Sequence, residues 1–144
     1  MNSISIIIPV LNEAQNLEVL LPHLYCSSSS ELISEILVVD GGSTDGSQRI
    51  VAEFSKKYPK VIGLNSPKGR AKQMNFGAFN SKGTVLYFLH ADSVPPKNFD
   101  RYIIDAINRG AKAGCFQMKF NSAHWWLQLA GWLTQLNWKS CRGG

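Results

Sequence analysis

Five charged or titratable side chains in this 144-residue chain sit where chemistry is possible: Glu13, Asp40, Arg70, His90 and Asp92. Asp40 closes an apolar run and is followed by Gly41-Gly42-Ser43-Thr44-Asp45-Gly46. A carboxylate at a strand end accepts a hydrogen bond from a ligand N–H, such as N3–H of uracil, or it stabilises a turn. Both readings carry equal weight for Asp40 alone. Gly41 and Gly42 let the backbone turn sharply and come close to a ligand. Asp92, in His90-Ala91-Asp92, suits a hard divalent cation bridging two phosphates. His90 beside it would favour manganese over magnesium. The plainer alternative makes Asp92 a turn residue before Pro95-Pro96.

Arg70 lies in Lys68-Gly69-Arg70-Ala71-Lys72, at the start of a predicted helix. Cations there oppose the helix dipole. A bound phosphate reverses the sign, because backbone N–H groups and Arg70 together form an anion site. Solvated surface cations are the competing reading. Glu13 follows Asn12 at the tip of the first apolar run and is, alone, an acid favoured by a helix N-terminus. Asp45 and Gln48 have capping-box spacing and predict a helix start near Asp45.

The elements that must position these residues follow from periodicity. Ile4–Val10 and Ile33–Val39 lack polar alternation and read as strands covered on both faces. Pro9 is tolerated near a strand end, where ladder pairing stops. Leu17, Leu20, Leu21 and Leu24 give Glu13–Tyr25 a helical stripe, in which Pro22 predicts a kink or an early end. Ile50, Val51 and Phe54 mark a second helix, and Val61–Leu64 a third strand. Arg70–Asn80 is a third helix, with Met74, Ala78 and Phe79 read as inward. Thr84–Leu89 is a fourth strand, Lys97–Arg109 a helix, Gly114–Phe120 a fifth strand and His124–Trp138 a Trp-rich helix. Strands alternating with helices predict an α/β fold, with a mostly parallel sheet covered on both faces. Ligands bind such sheets beyond the carboxyl ends of the strands.

Composition fits one soluble domain over residues 1–144: 44% hydrophobic, 17% charged and net charge +5. The scattered basic residues, without interleaved aromatics, argue against nucleic acid. Neither GxGxxG nor GxxxxGK[ST] occurs, so the dinucleotide and P-loop readings lose their main support. Cys26, Cys115 and Cys141 form no CxxC pair, so a reducing, cytoplasmic setting is expected. No signal peptide is visible, and membrane association is not indicated.

Taken together, the strand-end motifs resemble family-two glycosyltransferases. Pro9, Asn12 and Glu13 match the family's P-x-x-N-E segment. Asp40, Gly42, Ser43, Thr44, Asp45 and Gly46 match V-D-D-G-S-T-D-G, with Gly41 replacing the second aspartate. Asp92 matches the second acid of D-x-D, and His90 replaces the first. Gly69-Arg70-Ala71 and Gln73-Met74-Asn75 resemble a bacterial subgroup described as radical-SAM/selenodomain-associated. The resemblance implies a GT-A fold binding a nucleoside diphosphate sugar, with UDP-sugars favoured. It implies that Asp40 takes the base, that Pro9, Leu11, Glu13 and Gly42 line the nucleotide pocket, and that Arg70 and His90 adjoin the diphosphate. Asp92 would hold Mg²⁺ or Mn²⁺. The implied reaction is inverting transfer to an unknown acceptor hydroxyl.

Family members continue past residue 144 with an acidic pair that supplies the general base, and no candidate base is assignable here. The chain is therefore expected to be the donor-binding portion of a longer enzyme, as a fragment or a shortened gene product. Little transfer activity on its own is the corollary. An apolar stripe along the Trp-rich segment predicts a homo-oligomer. A non-catalytic sugar-nucleotide-binding module is one alternative. A nucleotidyltransferase of similar sheet order is another, though Leu11–Gln15 lacks its Gly-rich basic loop.

Overall fold

The computed structural model describes residues 2–116. Met1–Arg109 form one compact unit, and all eight regular elements of the described residues belong to it. They run β1 (Ile4–Val10), α1 (Ala14–Ser27), β2 (Ile33–Asp40), α2 (Ser47–Lys57), β3 (Val61–Asn65), α3 (Arg70–Phe79), β4 (Val85–Phe88) and α4 (Phe99–Asn108). The four strands form a sheet in the order β3-β2-β1-β4, every pair parallel. The sequence of elements runs outward from β1 through β2 to β3, then crosses to β4 on the other side. That reversal creates the crevice in which open α/β sheets bind ligands.

The two central strands are buried on both faces, as their predominantly apolar sequences suggest, and the buried Ser5 and Glu35 between them are hydrogen-bonded to each other at 2.8 Å. Ile4, Ile6, Ile7 and Ile8 of β1 are fully buried, and Leu37, Val38 and Val39 of β2 nearly so. The register pairs Ile7 with Leu37 and Val10 with Asp40. Alternation then sorts the helices. Gly77 of α3 lies against Ile7 and Val39, on one face. Val51 of α2 lies against Gly63, which pairs with Val38 on the other face. Phe99 of α4 meets Tyr87, which pairs with Ile6, so α4 shares the face of α2.

Pro9 sits in a central strand without cost to the ladder. Leu89 donates to the Ile7 carbonyl, so odd residues of β1 turn their amide edge toward β4. Pairing with β4 stops at Ile7↔Phe88, one step before the missing N–H of Pro9 would be needed.

Four expectations need correction. Pro22 neither ends nor shortens α1, which runs on to Ser27. Buried Leu17, Leu20, Leu21 and Leu24 flank it, and their burial outweighs the roughly 3 kcal/mol of an interior proline. Phe79 is 89% exposed and Met74 only half-buried; the fully buried residues of α3 are Gln73 and Gly77, while Ala78 packs against Ile7, Leu37 and Val39 as expected. Asp45 and Gln48 form no capping box: α2 starts at Ser47 behind Gly46, and Gln48 turns elsewhere. Gly114–Phe116 are not strand, while the rest of the expected fifth strand and the Trp-rich segment lie outside the described residues.

Candidate nucleotide site at the carboxyl edge of the sheet

The ends of β1 and β2 are tied into one polar structure. Asn12, at the tip of β1, has φ 58°, a left-handed conformation that asparagine tolerates better than most residues. Its backbone N–H donates to Ser43 Oγ at 2.8 Å, and its Oδ1 accepts from the Thr44 amide at 2.8 Å. The Glu13 amide donates to Ser47 Oγ at 3.0 Å and the Ala14 amide to Asp45 Oδ2 at 2.8 Å. Two of the unpaired N–H groups that open α1 are therefore satisfied by residues arriving from β2, not by α1's own N-cap. The Glu13 carboxylate accepts from Asn16 at 2.6 Å.

Asp40 is 5% exposed and closes the turn it begins. Its Oδ2 accepts from the Gly42 amide at 3.0 Å, the Ser43 amide at 3.0 Å and Gln48 Nε2 at 2.6 Å. Its Oδ1 accepts from the Ser43 hydroxyl. Gly42 has φ 98°, which a side chain would strain. Burial pushes the Asp40 carboxyl up, but the bonds from Ser43, Gln48 and Gly42 outweigh it and hold the group below its ordinary value. Asp45 is also held down, chiefly by the Ser47 hydroxyl and then by the Ala14 amide. Both aspartates are ionised at neutral pH.

Beside Asp40 lies a hollow of about 440 Å³ between α2 and the ends of β2 and β3, with Gln48, Ser47 and Asn65 on its wall. A second, of about 350 Å³, is bounded by Asn12, Glu13, Asn16 and Asp45. Pro9 and Leu11, at the end of β1, are half-buried.

Arg70 is the first residue of α3 and is exposed, as are Lys68 and Lys72. None has an acidic partner among the described residues. The loop before α3 is anchored to the end of β2 by the Ser66 amide, 2.9 Å from the Asp40 carbonyl. His90 and Asp92 follow β4, next to β1. Ser93 N–H closes a turn on the His90 carbonyl at 3.1 Å, and Asp92 is exposed with one long contact, from Ser93 Oγ at 3.4 Å.

Three of the predicted groups thus gather at the β1–β2 edge: Glu13, Asp40 and Gly42. Asp92 and His90 stand on the neighbouring strand end of the same edge, and Arg70 at the head of α3. Strands lie about 4.8 Å apart, so the ends of β2 and β4 are separated by about 10 Å. That is room for one extended ligand to reach both ends. Among the described residues no three His, Cys, Asp or Glu side chains converge as a metal cluster. The donor set still fits a magnesium-type ion. One weakly engaged, solvent-facing carboxylate plus phosphate oxygens is the usual protein share of such a site. Asp92 has that character and Asp40 does not.

Sequence reasoning missed Ser43, Ser47, Gln48 and Gln73 as builders of this edge. Their roles depend on which loops meet, and no spacing within one element announces it.

Comparison with known proteins gives the chain a family and a fold. Residues 5–138 match the family described as Glycosyl transferase family 2. Glycosyltransferase AglE of Haloferax volcanii is 35% identical over 94 residues, covering 64% of this chain and 31% of AglE. Among solved structures, the mannosyltransferase PcManGT of Pyrobaculum calidifontis, in complex with GDP-Man and Mn²⁺, superposes with a TM-score of 0.58. It is 25% identical, over 66% of this chain and 29% of that one. TarS 1–349 of S. aureus, in complex with UDP, superposes with a TM-score of 0.66 at 20% identity, over 83% of this chain and 40% of that one. The chain thus spans about a third of the length of these relatives, and its fold is the α/β GT-A type. The match runs through all three strand ends that carry the polar residues, and the chain belongs to glycosyl transferase family 2.

Proposed function

We propose that this chain provides the donor-binding part of a glycosyltransferase that moves a sugar from a nucleoside diphosphate sugar to an acceptor hydroxyl, by inversion and with a divalent ion. The observation that carries the reading is the buried, ionised Asp40 at the end of β2, with Asp92 two strands away on the same sheet edge. The complexes of TarS with UDP and of PcManGT with GDP-Man and Mn²⁺ support it.

In this reading Asp40 accepts the imide N–H of the base. Its acceptor positions are filled by Gly42, Ser43 and Gln48. The two turn amides are fixed by the backbone, so the exposed Gln48 side chain is the donor that gives way. A UDP-sugar suits a single N–H acceptor, and UDP is the favoured nucleotide. Arg70 and the first N–H groups of α3 face the diphosphate. Asp92 would hold Mg²⁺ or Mn²⁺, which supplies Lewis-acid stabilisation of the leaving diphosphate. The acceptor hydroxyl needs a general base as well. The Asp40 and Asp45 carboxylates are committed to the hydrogen bonds of the β1–β2 edge and do not fill that role, and the Glu13 carboxylate is bonded to Asn16 at the head of α1.

Isothermal titration with UDP and GDP, each with and without Mn²⁺, tests the proposal. Saturable binding of UDP that strengthens with Mn²⁺ is expected. No binding of either nucleotide would refute it.

A further inference from the structure

Gln73 is the one residue of the first turn of α3 that points into the sheet, and it is 4% exposed. Its Nε2 donates to the Val10 carbonyl at 2.7 Å and the Val39 carbonyl at 2.8 Å. Both amide protons are used, one on each central strand, at the level where β1 and β2 stop pairing. The Val10 carbonyl also accepts from the Gly41 amide at 3.0 Å. Gln73 therefore lies directly beneath the turn that Asp40 begins.

Gly41 is shaped by this contact. A Cβ there would stand 3.1 Å from Gln73 Cδ and Oε1 and 3.2 Å from Nε2. Gly41 has no positive φ, so turn geometry does not demand glycine; it is the Gln73 amide that crowds a side chain there. The missing acid at position 41 and the buried amide at position 73 are two halves of one packing choice.

The same contact fixes a distance. The loop carrying Lys68 and Arg70 is held at its start by Ser66 N–H on the Asp40 carbonyl at 2.9 Å. At its end, Gln73 holds the first turn of α3 to β1 and β2. The backbone that carries Arg70 is thus anchored at both ends, to Asp40 through Ser66 and to Val10 and Val39 through Gln73.

We propose that Gln73, with Gly41 as its partner, is a positioning residue that sets the spacing between the base-binding carboxylate and the phosphate-facing head of α3. The proposal rests on the nucleotide reading above for its ligand, but not for its geometry. Buried amides satisfied at both protons specify a position more sharply than an apolar contact does.

The test replaces Gln73 by Leu, which keeps the bulk and loses both donors, and compares UDP with UMP by titration. UDP must touch both ends of the site, UMP chiefly the base end. Gln73→Leu should weaken UDP by about 10–100-fold, the scale seen when an orienting partner is lost, and UMP by clearly less. Equal losses for the two nucleotides, or none, would overturn the spacing role. Gly41→Ala should weaken UDP in the parent but much less in Gln73→Ala, where the obstructing amide is gone; additive losses count against the pairing. Amide hydrogen exchange separates this inference from the nucleotide reading. In Gln73→Leu, exchange should quicken at Gly41, Gly42 and Ser66 and stay unchanged at Leu89 of the β4 end. If the parent binds no nucleotide but this exchange pattern appears, the donor reading falls and the geometric restraint stands. Unchanged exchange at Gly41 and Ser66 refutes the restraint itself.

Discussion

Gln48 Nε2 lies 2.6 Å from Asp40 Oδ2, reaching back from the first turn of α2 to the last residue of β2. An exposed amide thus stands where a base N–H is proposed to bind. The two donors compete for one carboxylate oxygen. Gln48→Ala should tighten UDP binding, because no internal donor has to be displaced. Asp40→Ala should weaken it by about 1.5–3 kcal/mol, the range for a hydrogen bond to a charged group. Calorimetric titration of both variants checks the pair. Unchanged affinity in Asp40→Ala would remove Asp40 from the base pocket.

Asp92 is expected to govern the metal response. It is exposed and almost unengaged within the chain. Asp92→Asn should leave metal-free UDP binding near the parent value and abolish most of the gain from Mn²⁺. A full Mn²⁺ gain in the variant would make Asp92 a turn residue only.

Much of this edge was legible beforehand, for a physical reason. Buried parallel strands write themselves as predominantly apolar runs, so Ile4–Val10 and Ile33–Val39 announced both their position and the polar groups at their ends. Asp40, Glu13 and Gly42 followed directly. Helix α3 was harder. Its fully buried residues are an amide and a glycine; hydrophobic periodicity found Ala78, which packs on the core, but pointed also to Met74 and Phe79. A helix that lies close over a sheet needs small residues, and one that pins strand ends needs a donor; neither raises an apolar signal. The capping-box spacing of Asp45 and Gln48 misled similarly. Asp45 serves Ala14 of α1 as well as Ser47, and Gln48 serves Asp40, through contacts some 31 and 8 residues apart.

Acid should loosen the β1–β2 edge before the rest of the sheet. Asp40 and Asp45 are both held below the ordinary 3.8 in the folded chain. A depressed carboxylate contributes stability that is complete above its unfolded pKa and is lost as pH falls through the folded one. Stability should therefore be flat near neutrality and decline from about pH 4 downward. In Asp45→Asn that decline should be shallower. Urea unfolding at several pH values between neutrality and strong acid measures the slope, and an identical slope in parent and variant would show that Asp45 is not part of the linkage.

The tightest contact beneath the site lies one turn beyond Gln73. A Cβ on Gly77 would stand 2.5 Å from Ile7 Cγ2 and 3.1 Å from Val39 Cγ2. Both neighbours are fully buried and cannot move aside. Two effects oppose each other in Gly77→Ala. Replacing an interior helical glycine gains about 1 kcal/mol of helix propensity. Overpacking a core costs about 1–3 kcal/mol, and a contact this short falls toward the upper end. The clash should win, so the urea midpoint should fall. The function should suffer with it. Relief of the clash requires α3 to rise from the sheet, which draws Gln73 away from the Val10 and Val39 carbonyls that it bridges. UDP affinity measured well below the unfolding midpoint should therefore drop in Gly77→Ala, although residue 77 touches no ligand group. A variant as stable as the parent would show that α3 has slack over β1. One that is destabilised but binds UDP normally would show that the helix can shift without carrying the site with it.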